Sequence, residues 1–438
     1  MVALAACGGV LDVETPDIAR PEQLTSPAGL AALRAGAYGD FSKAFGGDAT
    51  PSDAQEGQIL ATGLFTDEFK KTGTDPQRIA YDARRTDPAG VGAKLSTFFA
   101  NLQRARHSAE ATAEAYTAAE ATNANEVVSE MMSLAGFVYV FLAEDYCSGV
   151  PVSTLTAAGD ITYGEPLTTQ ALLERAVERF DVAITQAQTA AKPNLEQLAR
   201  VGKGRALLSL ARFADAAAAV APVPTTFRYE IRHATTSPVT QNAVFHAINQ
   251  LERWSVANRK GINGVAYMDA FTGGDPRTPW VIAPDGLGFD RTAGPQYYQL
   301  RYTSLTAAIP LATGTEARLI EAEAALRAGN VGTFTSIHNQ LRATLNTASV
   351  GPISATMTEA ERVNLHFRER ALWLYATGHR LGDLRRLVRQ YGRAENTVFP
   401  TGNYYRPQYP TFGTDVNFPV PFAETNNPNF TGCLDRAA

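Results

Sequence analysis

The chain has 438 residues, a formal net charge of −5 and a sequence pI of about 5.8, and 45% of its residues are hydrophobic. These values are ordinary for a globular protein that is large enough to bury a sizeable core. The acidic balance gives no support to nucleic-acid binding. The sequence contains no run of 18 or more apolar residues, so we predict no membrane-spanning helix.

The start of the chain has the form of a lipobox, the site at which a bacterial lipoprotein signal is cut and its cysteine acylated. Leu4, Ala5 and Ala6 precede Cys7, and Gly8 follows it. Because the basic segment and full apolar stretch of a signal peptide are missing, we expect residues 1–7 to be a truncated signal that ends at Cys7. The alternative is a cytosolic chain with an unrelated cysteine near its start.

Residues 8–25 are rich in proline, glycine and acidic residues with little periodicity, which is typical of an extended tether. Ser26 and Pro27 then match the N-cap and the first position of a helix. Periodic apolar residues predict further helices, of which 126–144 is apolar on most sides and is therefore expected to be buried. The other helices predicted in this half of the chain cover residues 94–118, 170–190 and 196–221.

Two segments, 196–221 and 315–345, each predict a pair of helices in which small and large residues alternate. This alternation lets two helices approach closely, as in tetratricopeptide repeats. We therefore predict a mostly α fold, a tetratricopeptide-like scaffold of helical hairpins with long irregular loops and little β structure. An ordinary helical protein with alanine-rich contacts is the alternative. Between the two segments, residues 222–314 lose helical periodicity and gain proline, glycine and aromatic residues, as do residues 393–438.

Residues 359–391 predict the last helical hairpin of the scaffold. Apolar residues recur at three- and four-residue steps on both sides of Gly378, which has no Cβ and can take a left-handed turn. Arginine and acidic residues lie between the apolar positions, and buried charges require partners. We expect a salt-bridge network in which Asp383 pairs with arginines of the hairpin; a catalytic acid–base cluster is the alternative.

The same hairpin resembles the C-terminal signature of the SusD/RagB family, which comprises surface-exposed nutrient-binding lipoproteins of outer-membrane uptake systems. The matching pattern is ER-x-x-x-L-x-x-x-G-x-R-x-x-DL-x-R. The family usually has a glutamate before that leucine and another before that glycine, where this chain has Trp373 and Thr377, which indicates a divergent branch. The matching residues are Glu369, Arg370, Leu374, Gly378, Arg380, Asp383, Leu384 and Arg386.

Shorter motifs extend the resemblance along the chain. They are Asp67-Glu68 before a polar loop, the turn Asp275-Pro276-Arg277, and a closing FP-x-P pattern that begins at Phe418. The resemblance implies one SusD-like domain after the signal and tether, with a helical scaffold and a loop-rich ligand region. The domain would span 26–438, with the scaffold at about 26–221 and 315–391 and the ligand region at about 222–314 and 393–438.

If Cys7 is acylated, Cys147 and Cys433 remain. An even number of cysteines in an exported protein favours a disulfide, which would tie the tail of the chain to its middle. Two free buried thiols are the alternative.

The sequence lacks the G-x-S-x-G, H-E-x-x-H, P-loop and dinucleotide-binding motifs. Its six histidines have no metal-ligand spacing. Its many carboxylates carry no pairing signature, so a glycosidase dyad stays open but has no support in the sequence. We therefore expect no enzymatic activity, no cofactor and no metal.

Aromatic residues in the irregular regions suggest a saccharide-binding surface. Flat aromatic side chains cover the apolar faces of sugar rings, and polar side chains bind the hydroxyl groups. The alternative is that these residues anchor long loops to the scaffold. The predicted ligand-binding residues are Trp280, Tyr297, Tyr298, Tyr267, Asp275, Arg277 and Tyr81.

The family resemblance implies a lipid-anchored protein of the outer membrane, facing the cell exterior. It would capture an oligosaccharide or a peptide and act as a lid on a SusC-like TonB-dependent barrel transporter. Acyl chains on Cys7 would be its only membrane attachment. A periplasmic helical-repeat interaction scaffold and an exported hydrolase are the two alternative functions.

Overall fold

A computed structural model describes residues 24–50, 56–87, 92–156 and 160–438 of the chain. The described residues form mainly α-helices, joined by long irregular segments and short strands. This confirms the predicted mostly α fold with little β structure. The predicted lipidation site Cys7 lies outside the described residues, as does the predicted tether apart from its last two residues.

Helices occupy the segments that apolar periodicity predicts, in both halves of the chain. In chain order they are α1 Pro27–Gly46, α2 Gln58–Phe65, α3 Pro76–Asp82, α4 Gly92–Ala118, α5 Ala124–Asp145, α6 Thr169–Thr189, α7 Pro193–Ser209, α8 Phe213–Val220, α9 Ala243–Phe245, α10 Tyr267–Thr272, α11 Gly314–Arg327, α12 Val331–Ala343, α13 Glu359–Trp373, α14 Arg380–Tyr391 and α15 Glu395–Val398. Turns of 3₁₀-helix at Pro238–Thr240 and Phe422–Asn426 and a π-helix at His246–Gln250 complete the helical structure that is described.

Local capping fixes where several helices begin. The Oγ of Ser26 accepts a hydrogen bond from the backbone N of Gly29 at 3.1 Å, with Pro27 at the first helical position. Thr168 caps α6 in the same way, through its Oγ1 and the backbone N of Ala171 at 3.0 Å. These side chains satisfy donors that the first turn of a helix leaves free.

Helix α5 is the centre of the core. By length and composition alone it is apolar enough to cross a membrane, but most of its residues are buried inside this protein. Its Phe141 ring stacks on Phe45 of α1 with ring centroids 5.8 Å apart, and its Phe137 ring meets Phe180 of α6 at 5.2 Å. The all-round apolar pattern is therefore that of a buried core helix.

The two predicted hairpins, α7–α8 and α11–α12, form and contact each other through α8 and α11. Gly204 of α7 shows why small residues are needed there. A Cβ at this position would lie 2.5 Å from Cγ1 of Val220 on α8 and 3.1 Å from Cδ1 of Ile320 on α11. Since the first distance is shorter than any normal carbon contact, the glycine lets both hairpins share one interface.

The strands are short, and among the described residues they form five two-stranded antiparallel sheets. Strands of different sheets also lie side by side: Oγ of Ser255 on β7 accepts a hydrogen bond from the backbone N of Tyr297 on β9 at 2.8 Å. The pairs are β1 Phe69–Lys71 with β7 Trp254–Val256, β2 Val150–Pro151 with β5 Pro166–Leu167, β3 Thr154–Leu155 with β4 Ile161–Thr162, β6 Arg228–Ile231 with β10 Ile309–Thr313, and β8 Trp280–Leu287 with β9 Pro295–Gln299.

The last hairpin, α13–α14, turns at Gly378, whose φ of +74° is the left-handed conformation predicted for it. The Asp383 carboxylate accepts hydrogen bonds from Arg370 Nε at 2.9 Å and Arg386 Nη2 at 2.8 Å. Burial alone would raise the pKa of Asp383, but the two guanidinium groups bring it well below its ordinary value. The predicted internal pairing is present, and the network extends further, since Arg380 binds Asp67 at 2.6 and 2.9 Å.

A disulfide joins Cys147, which follows α5, to Cys433 near the end of the chain, with the two Cα atoms 5.9 Å apart. Backbone hydrogen bonds run beside it. The N of Cys147 donates to the O of Phe418 at 2.9 Å, and the N of Leu434 donates to the O of Ser148 at 2.8 Å. The tail of the chain is therefore fixed against the end of the core helix.

Candidate functional site

A groove of about 570 Å³ lies between strands β1, β7 and β9, the loop that follows β7, and the irregular segment 403–412. Its walls combine aromatic rings with amide groups and cationic side chains. We call it the Lys70 groove and define it by six of its lining residues: Lys70, Asn258, Arg259, Tyr297, Asn403 and Tyr405.

Strand alternation places one tyrosine in the groove and keeps its neighbour out. Successive side chains of a strand point to opposite faces, so Tyr297 and Tyr298 on β9 diverge. Tyr297 pairs with Ile282 and lines the groove, whereas Tyr298 pairs with Val281 and donates its hydroxyl proton to Glu252 on the other face. The hairpin therefore offers one aromatic ring to the groove.

The same alternation on β1 places Lys70 in the groove. Phe69 and Lys71, its neighbours on the strand, are fully buried, while Lys70 is only partly buried. The Lys70 ammonium lies 5.4 Å from the centroid of the Tyr297 ring. Burial lowers the pKa of Lys70 to about 8, although the negative charge of Asp82 acts in the opposite direction.

The floor of the groove is held by the buried carboxylate of Asp82, the last residue of α3. It accepts hydrogen bonds from the hydroxyls of Tyr404, at 2.7 Å, and Tyr405. It also accepts one from the backbone N of Lys71 at 3.2 Å and forms an ion pair with Lys260. Because these polar groups satisfy one another, the ring of Tyr405 is held at the groove with its hydroxyl turned inward.

The rim of the groove is organised by Asn258. Its Oδ1 accepts a hydrogen bond from the backbone N of Met268 at 3.0 Å, and its Nδ2 donates to Asp269 at 2.7 Å. The exposed Arg259 donates from Nε to the same carboxylate at 2.7 Å. Hydrogen bonds from Arg259 and Asn258 lower the pKa of Asp269, so the rim keeps an ionised pair.

These groups make the groove suitable for binding a polar ring compound. Tyr297 and Tyr405 supply aromatic surface, and Lys70, Arg259 and the Asn403 amide supply hydrogen-bond donors around it. Among the described residues, no three His, Cys, Asp or Glu side chains lie close enough together to hold a metal ion.

Two of the seven ligand-binding residues predicted from the sequence meet at this groove. Tyr297 lines it, and the Trp280 ring packs edge-on against Tyr297 with ring centroids 5.1 Å apart. The Trp280 indole N–H donates to the backbone O of Met268 at 3.2 Å. Trp280 therefore supports the wall of the groove, and Tyr298 lies on the opposite face of the strand.

Four of the predicted residues are buried elsewhere, which removes them from the candidate site. Tyr81 and Tyr267 have no exposed surface. The Tyr81 hydroxyl donates to Glu56 Oε1 at 2.5 Å, and Tyr267 packs on Tyr375 with ring centroids 4.9 Å apart. Both side chains belong to the packed interior, Tyr81 on α3 and Tyr267 at the start of α10.

Asp275 and Arg277 also belong to the scaffold. Arg277 donates from Nη2 to Asp275 Oδ2 and from Nη1 to Glu369 Oε2, both at 2.6 Å. Arg342 also binds the Glu369 carboxylate, at 2.7 Å, and the two arginines bring the pKa of Glu369 down to about 2 against the effect of burial. The family-like DPR turn is thus tied to α13 by buried ion pairs.

Sequence reasoning missed Lys70, Asn258 and Tyr405. A signal existed for Tyr405, which lies in the aromatic-rich part of the second irregular region. No signal marks Lys70 or Asn258, because the groove is assembled from segments far apart in the sequence.

Two other cavities differ from the groove in chemistry. One, of about 930 Å³, lies between α8 and α11; alanines make up half of its lining residues, and Phe213 and Ile337 also line it. The other, of about 550 Å³, lies beside Arg277 and His379, whose side chains already bind Glu369 and Glu316.

No protein-family model and no curated protein matches the sequence. The fold is nevertheless similar to solved structures along almost the whole chain. Surface glycan-binding protein A from Bacteroides uniformis matches with a TM-score of 0.68 and 13% identity, over 93% of this chain and 99% of that chain. A SusD superfamily protein from Bacteroides fragilis matches with a TM-score of 0.66 and 14% identity, over 93% of this chain and 99% of that chain.

A SusD-like carbohydrate binding protein from Bacteroides vulgatus gives a TM-score of 0.65 and 14% identity, over 92% of this chain and 97% of that chain. Identities this low show a common fold. The chain therefore has the SusD fold.

Proposed function

We propose that this SusD-fold protein belongs to the SusD/RagB family and binds a carbohydrate in the Lys70 groove, as the nutrient-binding component of an outer-membrane uptake system. The observation that carries the proposal is the groove, where aromatic rings and hydrogen-bond donors face one space on this fold. Two of the structurally similar proteins are glycan- or carbohydrate-binding proteins, which supports a saccharide over a peptide as the ligand.

In this proposal a sugar ring lies with its apolar face against Tyr297. Its hydroxyl groups accept hydrogen bonds from Asn403 and Arg259 at the rim. Trp280 holds the Tyr297 ring in place through their edge-on contact. Binding depends on shape and stacking, and no bond of the saccharide is broken.

The proposal also includes attachment and a partner. A lipid on Cys7 holds the protein at the outer membrane, facing the cell exterior, and a SusC-like TonB-dependent barrel receives the saccharide. The lipobox at Leu4–Cys7 and the SusD fold support this part. Radiolabelled palmitate should enter the chain in cells and be lost in Cys7→Ser, and a barrel transporter should co-purify with the lipidated protein.

The adjacent tyrosines of β9 provide a matched test of the site. Tyr297→Ala should weaken binding to a retarding polysaccharide about tenfold or more in affinity electrophoresis. Tyr298→Ala removes the same side chain from the opposite face and should bind as the wild type does. Thermal unfolding of both variants controls for misfolding. Equal losses in the two variants would reject this site.

The same experiments separate the alternative functions. Isolation of the protein in a soluble periplasmic complex, without glycan binding, would support the helical-repeat interaction scaffold. A partner protein could then bind at the cavity between α8 and α11. Release of shorter saccharides by the pure protein would support a hydrolase.

A further inference from the structure

We infer that the saccharide bound in the Lys70 groove carries an acidic group, a carboxylate or a sulfate ester, and that this group pairs with the ammonium of Lys70. The inference rests on the proposed function and adds the chemical class of the ligand.

The groove has an excess of positive charge in a protein whose net charge is negative. Lys70, Arg259 and Lys260 line it, and none of its lining residues, as far as the chain is described, is Asp or Glu. The whole chain carries a formal charge of −5. The positive lining is therefore a local property of this groove.

Two of the three cations are already neutralised. Lys260 is paired with the buried Asp82 below the floor, and Arg259 is paired with Asp269 at the rim. Lys70 has no carboxylate within ion-pairing distance among the described residues. The one unneutralised charge of the groove is therefore the ammonium of Lys70.

This state is unusual among the lysines of the chain, of which there are seven. The ammonium of Lys71, next to Lys70, lies 3.7 Å from the centroid of the Trp254 ring and is buried. Five of the other lysines form ion pairs with described carboxylates, and Lys70 forms none. The lysines that form ion pairs are Lys43, Lys94, Lys192, Lys203 and Lys260.

A partly buried cation without a carboxylate is unfavourable until an anion binds it. The burial that lowers the pKa of Lys70 reflects this cost. The centroid of the Tyr297 ring lies 5.4 Å from the ammonium. A sugar that rests against Tyr297 would bring an acidic substituent to Lys70, so the aromatic contact and the ion pair would select one ligand together.

Matched pairs of polysaccharides test the inference. Sodium polygalacturonate and its methyl ester differ in carboxylate charge, and dextran sulfate and dextran differ in sulfate charge. At low ionic strength the wild type should bind the acidic member of at least one pair about tenfold more tightly than the neutral member. The pair that shows the difference identifies carboxylate or sulfate as the bound group.

Three variants assign the effect to Lys70. Lys70→Met should abolish the preference for the acidic member, and Lys70→Arg should keep most of it. Lys203→Met removes the same charge from a distant pair with Asp181 and should leave binding unchanged. Thermal unfolding should be similar in all three variants, since Lys70 has no described ion pair to lose and the pair of Lys203 with Asp181 is accessible to solvent.

Each remaining outcome is decisive. Equal binding of acidic and neutral members, or a preference that survives in Lys70→Met, overturns the inference. If neutral polysaccharides bind as tightly as acidic ones and Tyr297→Ala weakens both, the inference fails and the proposed function stands. If no polysaccharide of either class binds, both fail.

Discussion

Lys260 and Asp82 form an ion pair beneath the Lys70 groove in which the two side chains are 1% and 0% exposed. The Lys260 ammonium also donates to the backbone oxygens of Leu64 and Phe69, the latter at 3.0 Å. Burial lowers the pKa of Lys260, and Asp82 opposes that shift. One buried pair thus joins the end of α3, strand β1 and the loop after β7, which together carry the floor of the site.

Removing one member of this pair should destabilise the protein strongly. Lys260→Met leaves the Asp82 carboxylate buried without its counter-charge, so we expect the free energy of unfolding to fall by about 3–5 kcal/mol. Lys203→Met, at an accessible pair, should cost about 0–1 kcal/mol. Urea unfolding of both variants measures the difference.

The double variant Lys260→Met with Asp82→Asn provides the control. Because it buries no unpaired charge, it should lose less stability than the sum of the two single variants. An additive loss would contradict the account of this pair.

Binding of an acidic saccharide should weaken as the pH rises through about 8. Burial lowers the pKa of Lys70 to that value, with Asp82 acting against the shift. In the free groove the Lys70 ammonium loses its proton between pH 7 and pH 9. An anion that binds this ammonium should therefore bind about tenfold more weakly at pH 9 than at pH 7. Burial raises the pKa of Tyr405 well above its ordinary value, so this neighbour keeps its proton over the same range.

Lys70→Arg is the matched control for that experiment. The guanidinium stays charged at these pH values, so calorimetric affinities of this variant should be nearly constant from pH 7 to pH 9. Identical pH dependence in the wild type and the variant would assign the titration to another group.

Glu68 should make the folded state less stable as the pH rises. One of its oxygens accepts a hydrogen bond from the backbone N of Ala376 at 2.8 Å, and the other is buried without a partner among the described residues. Burial raises its pKa to about 8, from an ordinary value of 4.5. Between these values the folded state binds the proton that the unfolded chain releases, so the free energy of unfolding falls with increasing pH and levels off above about pH 8.

Glu68→Gln removes this titration and keeps an acceptor for Ala376. Relative to the wild type, the variant should gain little at pH 4.5 and a few kcal/mol at pH 8, measured by urea unfolding at each pH. A difference that does not change with pH would show that Glu68 does not titrate in this range.

Loss of the disulfide should lower stability. Cys433→Ser opens a loop that spans 286 residues, and we expect the free energy of unfolding to fall by about 2–5 kcal/mol. The backbone hydrogen bonds between the tail and Ser148 remain, so the variant should still fold. A reductant should destabilise the wild type by a similar amount and leave the variant unchanged, whereas two alkylatable thiols in the unreduced folded protein would show that the bond is absent.

The scaffold was predictable because its signals are local. Ser26 caps the helix it was expected to begin, and Gly378 turns the last hairpin through a left-handed conformation. Each signal needs only a few neighbouring residues. Gly204 was predictable as a small residue at a helix contact, although its two partners, Val220 and Ile320, are fixed by the tertiary structure.

The site was only partly predictable because its residues come together from separate segments. Composition marked the aromatic residues between 267 and 302 but gave no means to separate Tyr297, which faces the groove, from Tyr267, which is buried. Lys70 lies on a three-residue strand, too short to show a period in the sequence. Lys70 is a candidate binding residue because no described carboxylate lies within ion-pairing distance of it, and this can be seen only in the folded structure.

The bond between Cys147 and Cys433 also determines what happens when a protease cuts the chain between them. It closes a covalent ring that contains residues 222–314, the second irregular region up to Cys433, and the whole Lys70 groove apart from Lys70 itself. The turn between β8 and β9 carries Arg291, whose side chain is 66% exposed and open to a trypsin-like enzyme. A single cut there opens the ring but releases no fragment, so the nicked protein stays one molecule, attached through whatever holds its N-terminal half, until a reductant separates the pieces.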